Sequence, residues 1–80
     1  MPAGYRLGKI AVPEELENKT LGEVNFRTRY HFQVLALVRN SDDGKSQRLI
    51  ADPQLKLNRG DEMIVIGKEE DFDRFRKKED

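Results

Sequence analysis

His31 is the single histidine in the chain, and cysteine is absent. One imidazole cannot build a multi-histidine zinc site, and no serine or cysteine stands at a recognisable spacing to use it as a base. A disulfide scaffold and a thiolate metal site are both excluded, which leaves a reducing compartment permitted. The acidic runs Asp42-Asp43-Gly44 and Glu69-Glu70-Asp71 are the remaining candidates for cation chemistry. Calcium needs six or more oxygens in a set geometry, and neither run follows the twelve-residue loop pattern. A turn and a helix N-terminus account for them, with a metal at a dimer interface as the alternative. No paired carboxylates and no nucleophile with its base stand out, so no enzyme is expected. A Gly-x-Gly-x-x-Gly fingerprint is also missing, which argues against dinucleotide binding in the Rossmann manner.

Composition narrows the classes further. Eighty residues make one domain, 1–80, and a chain that short buries only about 60% of its unfolded surface. Apolar residues make up 36% and charged residues 38%, a balance that calls for a small core or one completed by a partner. Fifteen basic side chains offset fifteen acidic ones. The whole-chain field therefore favours neither nucleic acid nor an anionic membrane, and no nucleic-acid partner is expected. The opening Met-Pro-Ala-Gly-Tyr-Arg lacks the apolar core of a signal peptide, and no apolar run nears the roughly 20 residues that span a bilayer. Any membrane connection is expected through another subunit. An N-terminus that enters a strand so early is expected of a piece of a longer protein.

The elements that position these residues read as follows. Tyr5 to Val12 alternates as a strand and stops at Pro13, which cannot donate to a ladder. Residues 13–18 form a polar connector. Thr20-Leu21-Gly22-Glu23 has the form of a capping box and starts a helix expected to run to about Arg29–His31. Gln33 to Arg39 is the clearest strand. Its Val34-Leu35-Ala36-Leu37-Val38 run is apolar throughout, so both faces need cover, and a second copy of the chain is the expected source of the second. Asn40 to Gly44 is a turn, Gln47 to Ala51 a short strand, and Asn58-Arg59-Gly60-Asp61 a second turn. That Arg-Gly-Asp leads straight into a core strand, Glu62 to Gly67, and is read as a turn rather than an adhesion signal. A helix over about Glu69–Lys77 begins acidic and ends basic, which suits the macrodipole, and docks through Phe72 and Phe75. The expected fold is α+β, ordered β-α-β-β-β-α, a small mostly antiparallel sheet with two helices packed on it and a dimeric state.

This ordered set resembles a known family. The carriers are Asn18-Lys19-Thr20-Leu21-Gly22-Glu23-Val24, Tyr30 before a strand ending in Val38-Arg39, and Leu57-Asn58-Arg59-Gly60-Asp61-Glu62-Met63-Ile64-Val65-Ile66-Gly67 ahead of a short helix. It is similar to the RCK C-terminal domain, also called the TrkA C-terminal (TrkA_C) domain, of potassium channel and transporter regulatory subunits. The resemblance covers about residues 8–77.

The resemblance implies a cytoplasmic homodimer, peripheral to the inner membrane, that gates a potassium or other monovalent-cation channel or transporter. It also implies a small ligand at the two-fold interface, cyclic di-AMP in some relatives. The matching ligand positions are Val34 and Leu35 against the bases and Arg39 at a phosphate. An arginine fork suits a phosphate through two parallel hydrogen bonds, while the alternative for Arg39 is a surface ion pair. Relatives that read this ligand tend to carry Asn-His in the next hairpin. Gly44-Lys45-Ser46 stands near that place here, and Lys45 can meet the phosphate instead. Three other readings stay open: a structural assembly domain with no ligand, a regulatory domain of a non-potassium transporter, and a nucleic-acid module whose affinity would fall steeply with salt.

Overall fold

The alternation read in the first strand is what the chain uses. In the computed structural model, which describes residues 2–79, β1 spans Tyr5–Ala11, β2 Gln33–Asn40, β3 Ser46–Ile50 and β4 Glu62–Lys68. They form one sheet in the order β1-β4-β2-β3, antiparallel at every pairing. Three helices accompany it: α1 (Leu21–Val24), α2 (Phe26–Tyr30) and α3 (Glu69–Glu79), with a short 3₁₀ turn at Glu14–Leu16. The α+β class and the strand order along the chain match the expectation. The single helix expected from Thr20 does not form, because it divides at Asn25.

The division is local chemistry. Thr20 Oγ1 accepts the Glu23 amide at 3.1 Å, and Glu23 Oε1 accepts the Thr20 amide at 2.9 Å, so the capping box closes as read. Asn25 then takes a left-handed conformation, φ 55°, and ends α1. Its side-chain oxygen turns round to accept the Thr28 amide at 3.4 Å and starts α2. Asparagine tolerates that backbone region and bonds its own neighbours, so one residue serves as stop and start. Thr20→Ala is expected to cost about 1 kcal/mol, read as a shift of the urea midpoint. A shift indistinguishable from zero would mean that the box adds nothing.

The helices cover one face of the sheet. Met63 and Val65 of β4 and Leu37 of β2 are 0% exposed there and meet Phe32, Phe72 and Phe75. The aromatic rings pack edge or tilted, with centroids 4.9 Å apart for Phe32–Phe72 and 5.1 Å for Tyr30–Phe75. Residues 51–61, between β3 and β4, have little regular structure, yet their backbone is satisfied. Gly22 N donates to Pro53 O at 2.8 Å, Leu21 N to Leu55 O at 3.0 Å, and Leu57 N to Lys19 O at 2.8 Å.

No described residue packs over the other face of the sheet. Cross-strand partners share a face, which places Leu7 beside Ile66 and sets Ile64 between Lys9 and Ala36, with Ile50 next in that row. Leu7 is 53% and Ile50 85% exposed. Between Val34 and Ala36 the β2–β4 register slips by one residue, so Leu35 is the extra residue of a bulge and is also exposed. The two-sided apolar character of β2 is thus matched by cover on only one side within the chain.

Candidate functional site

Arg39 sits near the end of β2, two residues after the inward-facing Leu37, and therefore turns to the helix side of the sheet. There it meets Asp61, which is 1% exposed in the turn before β4. Arg39 Nε donates to Asp61 Oδ1 at 3.0 Å, and Nη2 donates to Oδ2 at 2.7 Å and to the Lys56 carbonyl at 2.9 Å. The same carboxylate accepts the Asn58 amide at 2.9 Å. The bond to Asp61 is the main cause that holds the Arg39 guanidinium above its ordinary range, against some loss from burial. The fork is committed to an internal carboxylate, with only Nη1 left without a bond among the described residues.

Lys45 lies in the β2–β3 turn, which is tightly organised. Asp43 accepts the Lys45 amide at 3.0 Å and the Ser41 hydroxyl, and the Lys45 carbonyl accepts the Ser41 amide at 2.9 Å. The Ser41 bond, more than that from the Lys45 amide, holds the Asp43 carboxyl below its ordinary range. The lysine side chain is exposed.

The four positions named from sequence do not converge within one chain. Val34 faces the helix side, where it lines an open cleft of about 420 Å³ between α1, α2 and the Ala51–Pro53 segment. Leu35 faces outward on the bulge, and Arg39 lies about 13 Å further along β2 at the usual strand rise. Lys45 is beyond that again. Sequence reading missed Asp61 as the partner of Arg39. The signal was present: an arginine two residues after an inward leucine in a strand is directed inward and needs an acceptor.

The acidic runs serve local structure. Asp71 pairs with Arg74 at 2.7 Å and Glu69 with Arg6 at 2.9 Å. Among the described residues no group of three or more metal-ligating side chains comes together. Arg6 also stacks over Phe72, 4.0 Å from the ring centroid, which fastens α3 to β1.

Two exposed carboxylates carry a pH signature. Glu69 is held below its ordinary 4.5 chiefly by the Arg6 bond, and Glu23 below 4.5 chiefly by the Thr20 amide. A carboxylate whose folded pKa is depressed adds stability above the unfolded pKa and loses it as pH falls through the folded one. Urea midpoints are therefore expected to stay level from neutrality to about pH 5 and then to drop. Glu23→Gln keeps a capping side chain but cannot titrate, so its acid limb should be shallower; an unchanged limb would show that Glu23 takes no part.

Comparisons with known proteins follow this geometry. The family model of the TrkA-C domain matches residues 9–79. A protein of Bacteroides thetaiotaomicron named as an uncharacterized transporter is 37% identical over 65 residues, covering 81% of this chain and 11% of that protein. The chain thus spans about a ninth of the relative's length. Among solved structures, the RCK C domain of the potassium transport protein KtrA in complex with cyclic di-AMP superposes with TM-score 0.77 at 23% identity, over 92% of this chain and 82% of that one. S. agalactiae BusR in complex with its promoter DNA superposes with TM-score 0.67 at 19% identity, over 96% of this chain and 36% of that one. At those identities the likeness is one of fold. The BusR complex also means that this fold occurs in a DNA-bound protein, which does not fit the expectation of no nucleic-acid partner. Among the described residues no helix is long and apolar enough to cross a membrane.

Proposed function

The chain belongs to the TrkA-C domain family, and on that footing we propose that it is a non-catalytic dimerisation and ligand-sensing domain that regulates a cation channel or transporter. The observation that carries this reading is the uncovered sheet face with Leu7, Leu35, Ile50, Ile64 and Ile66. A second copy docked there by a two-fold axis would complete the cover of β2 that the sequence calls for. The domain unit is residues 1–80, its place is cytoplasmic, and its membrane connection runs through a transporter subunit or a fused transporter. The relative named as a transporter supports the last point.

Ligand sensing rests on the same face. Two bulged Leu35 residues would meet near the axis, and a small ligand such as cyclic di-AMP would lie between protomers, with Val34, whose side chain faces the helices, offering only its backbone. The neighbour bound to that ligand supports the choice. Arg39 could join only through Nη1, since Nε and Nη2 stay with Asp61, and Lys45 would reach in from the hairpin. A ligand that binds one dimer arrangement more tightly than another shifts the gate by that difference in affinity. Potassium is the solute of choice, and a transporter of another solute is the second reading, supported by the unassigned solute of the relative.

Sedimentation velocity tests the dimer. The parent chain is expected to dimerise, and Ile64→Glu, which puts a charge at the centre of the face, is expected to be monomeric with its circular dichroism unchanged. A parent chain that stays monomeric at high concentration would remove the reading. Calorimetry with cyclic dinucleotides, nucleotides and divalent ions then tests the ligand, and a stable dimer that binds none of them would leave an assembly domain.

A further inference from the structure

On the helix side, away from the uncovered sheet face, the end of α2 meets one face of α3, from Asp71 to Lys78, around a cavity of about 110 Å³. Arg29, His31, Arg74 and Lys78 line it, and Asp71 is the single carboxylate among the described lining residues. Asp71 is already bonded to Arg74. Three fixed cations against one carboxylate leave an excess of two positive charges at one spot in a chain whose net charge is zero. Arg29 and Lys78 stand over the Tyr30 ring, 5.5 and 5.4 Å from its centroid. Tyr30 also lines the cavity, is 8% exposed, and its hydroxyl has no hydrogen-bond partner among the described residues.

Like charges gathered from two elements repel, and the Tyr30 hydroxyl has a hydrogen bond left to give. One anion would answer both. The volume is well below the roughly 300–1,000 Å³ of pockets that hold drug-sized ligands, so the fit is to a single compact group. We propose that this cavity is an oxyanion site for one phosphate group, with Arg29, Arg74 and Lys78 supplying charge-assisted hydrogen bonds and Tyr30 a neutral donor. The phosphate is either free or the terminal group of a phospholipid headgroup. The site lies outside the proposed dimer face and does not depend on it.

The test is an NMR titration of the 80-residue chain with sodium phosphate at constant ionic strength, with sodium chloride as the reference. Saturable shifts are expected at Arg29, Tyr30, His31 and Lys78. Lys78→Ala is expected to weaken affinity ~tenfold, equivalent to about 1.4 kcal/mol. Tyr30→Phe should weaken it by a smaller factor while keeping the aromatic packing, and Arg48→Ala, on exposed β3, should leave it unchanged. A second arm sediments the chain with phosphatidylcholine vesicles with and without phosphatidic acid. Pelleting only with phosphatidic acid, reversed by free phosphate, identifies the headgroup as the source; saturation by phosphate without pelleting identifies the free anion. Shifts that never saturate, or an affinity that neither Lys78→Ala nor Tyr30→Phe lowers, would overturn the site.

Discussion

Arg39→Ala is expected to lower the unfolding free energy by about 3–5 kcal/mol, because it leaves the carboxylate of Asp61 buried without its cation. Asp61 is 1% exposed and keeps only the Asn58 amide once the fork is gone. An 80-residue domain has a total stability on the order of 4–12 kcal/mol, so the loss is a large share of it. Arg39→Lys should recover little, since an ammonium cannot reproduce two parallel bonds and a third to the Lys56 carbonyl. Asp61→Ala should also be costly, and the double variant should cost far less than the two singles added. Urea unfolding of the four proteins gives the coupling directly; a coupling below about 0.5 kcal/mol would mean that the pair is incidental. The result bears on ligand sensing as well. If Arg39 holds the turn in place, loss of ligand binding in Arg39→Ala reports a disturbed fold, and stability must be measured beside affinity.

The aromatic wedge under β4 should give the second large effect. Phe32 is 1% exposed and packs against both Phe72 and Phe75. Phe32→Ala is expected to cost about 3–5 kcal/mol through lost burial and the cavity left behind. The reverse error is overfilling. A Cβ on Gly67 would stand 2.5 Å from Phe32 Cδ1 and 3.4 Å from Phe72 Cε2, so Gly67→Ala must push an immobilised ring. That should cost about 1–3 kcal/mol. Combining Gly67→Ala with Phe32→Leu should relieve part of the clash, so thermal midpoints are expected to fall by less than the sum. Strict additivity would show that the glycine is needed for another reason.

Much of the fold was legible because it rests on signals of short range. Pro13 ends a strand, Thr20 and Glu23 form a box, and the acidic start and basic end of α3 follow the macrodipole. Asn25 was the exception: asparagine in a helical stretch reads as a poor helix former, and its double role as stop and start depends on where α2 must go to pack Phe26 and Tyr30. The 3₁₀ turn at Glu14–Leu16 was hidden in the same way, since Leu16 is 1% exposed and is drawn inward by the core rather than by its neighbours. The candidate site was less legible. Val34 and Leu35 face opposite sides by ordinary strand alternation, but the bulge that puts Leu35 on the same outward side as Ala36 comes from pairing with β4. The partner of Arg39 lies 22 residues away, and no local pattern names it. The cluster of Arg29, His31, Arg74 and Lys78 joins residues more than 40 positions apart in the chain, which a zero net charge conceals.

The stretch from Ala51 to Asp61 looks like a loop but is stitched to residues 18–22 by main-chain bonds in both directions, including Asn18 N to Leu57 O at 2.8 Å. Gly22 has its Cα so close to this stretch that a methyl there would sit 3.0 Å from the Pro53 carbonyl. For anyone attaching a reporter or splitting the gene, the two connections flanking β3 are therefore not equivalent. The Ser41–Lys45 hairpin tip, bonded only within itself among the described residues, should accept an inserted peptide or an affinity tag. The same insertion between Pro53 and Leu57 would unpick the seam that joins the helical half of the chain to the strand β4, even though neither end of it is drawn as helix or strand.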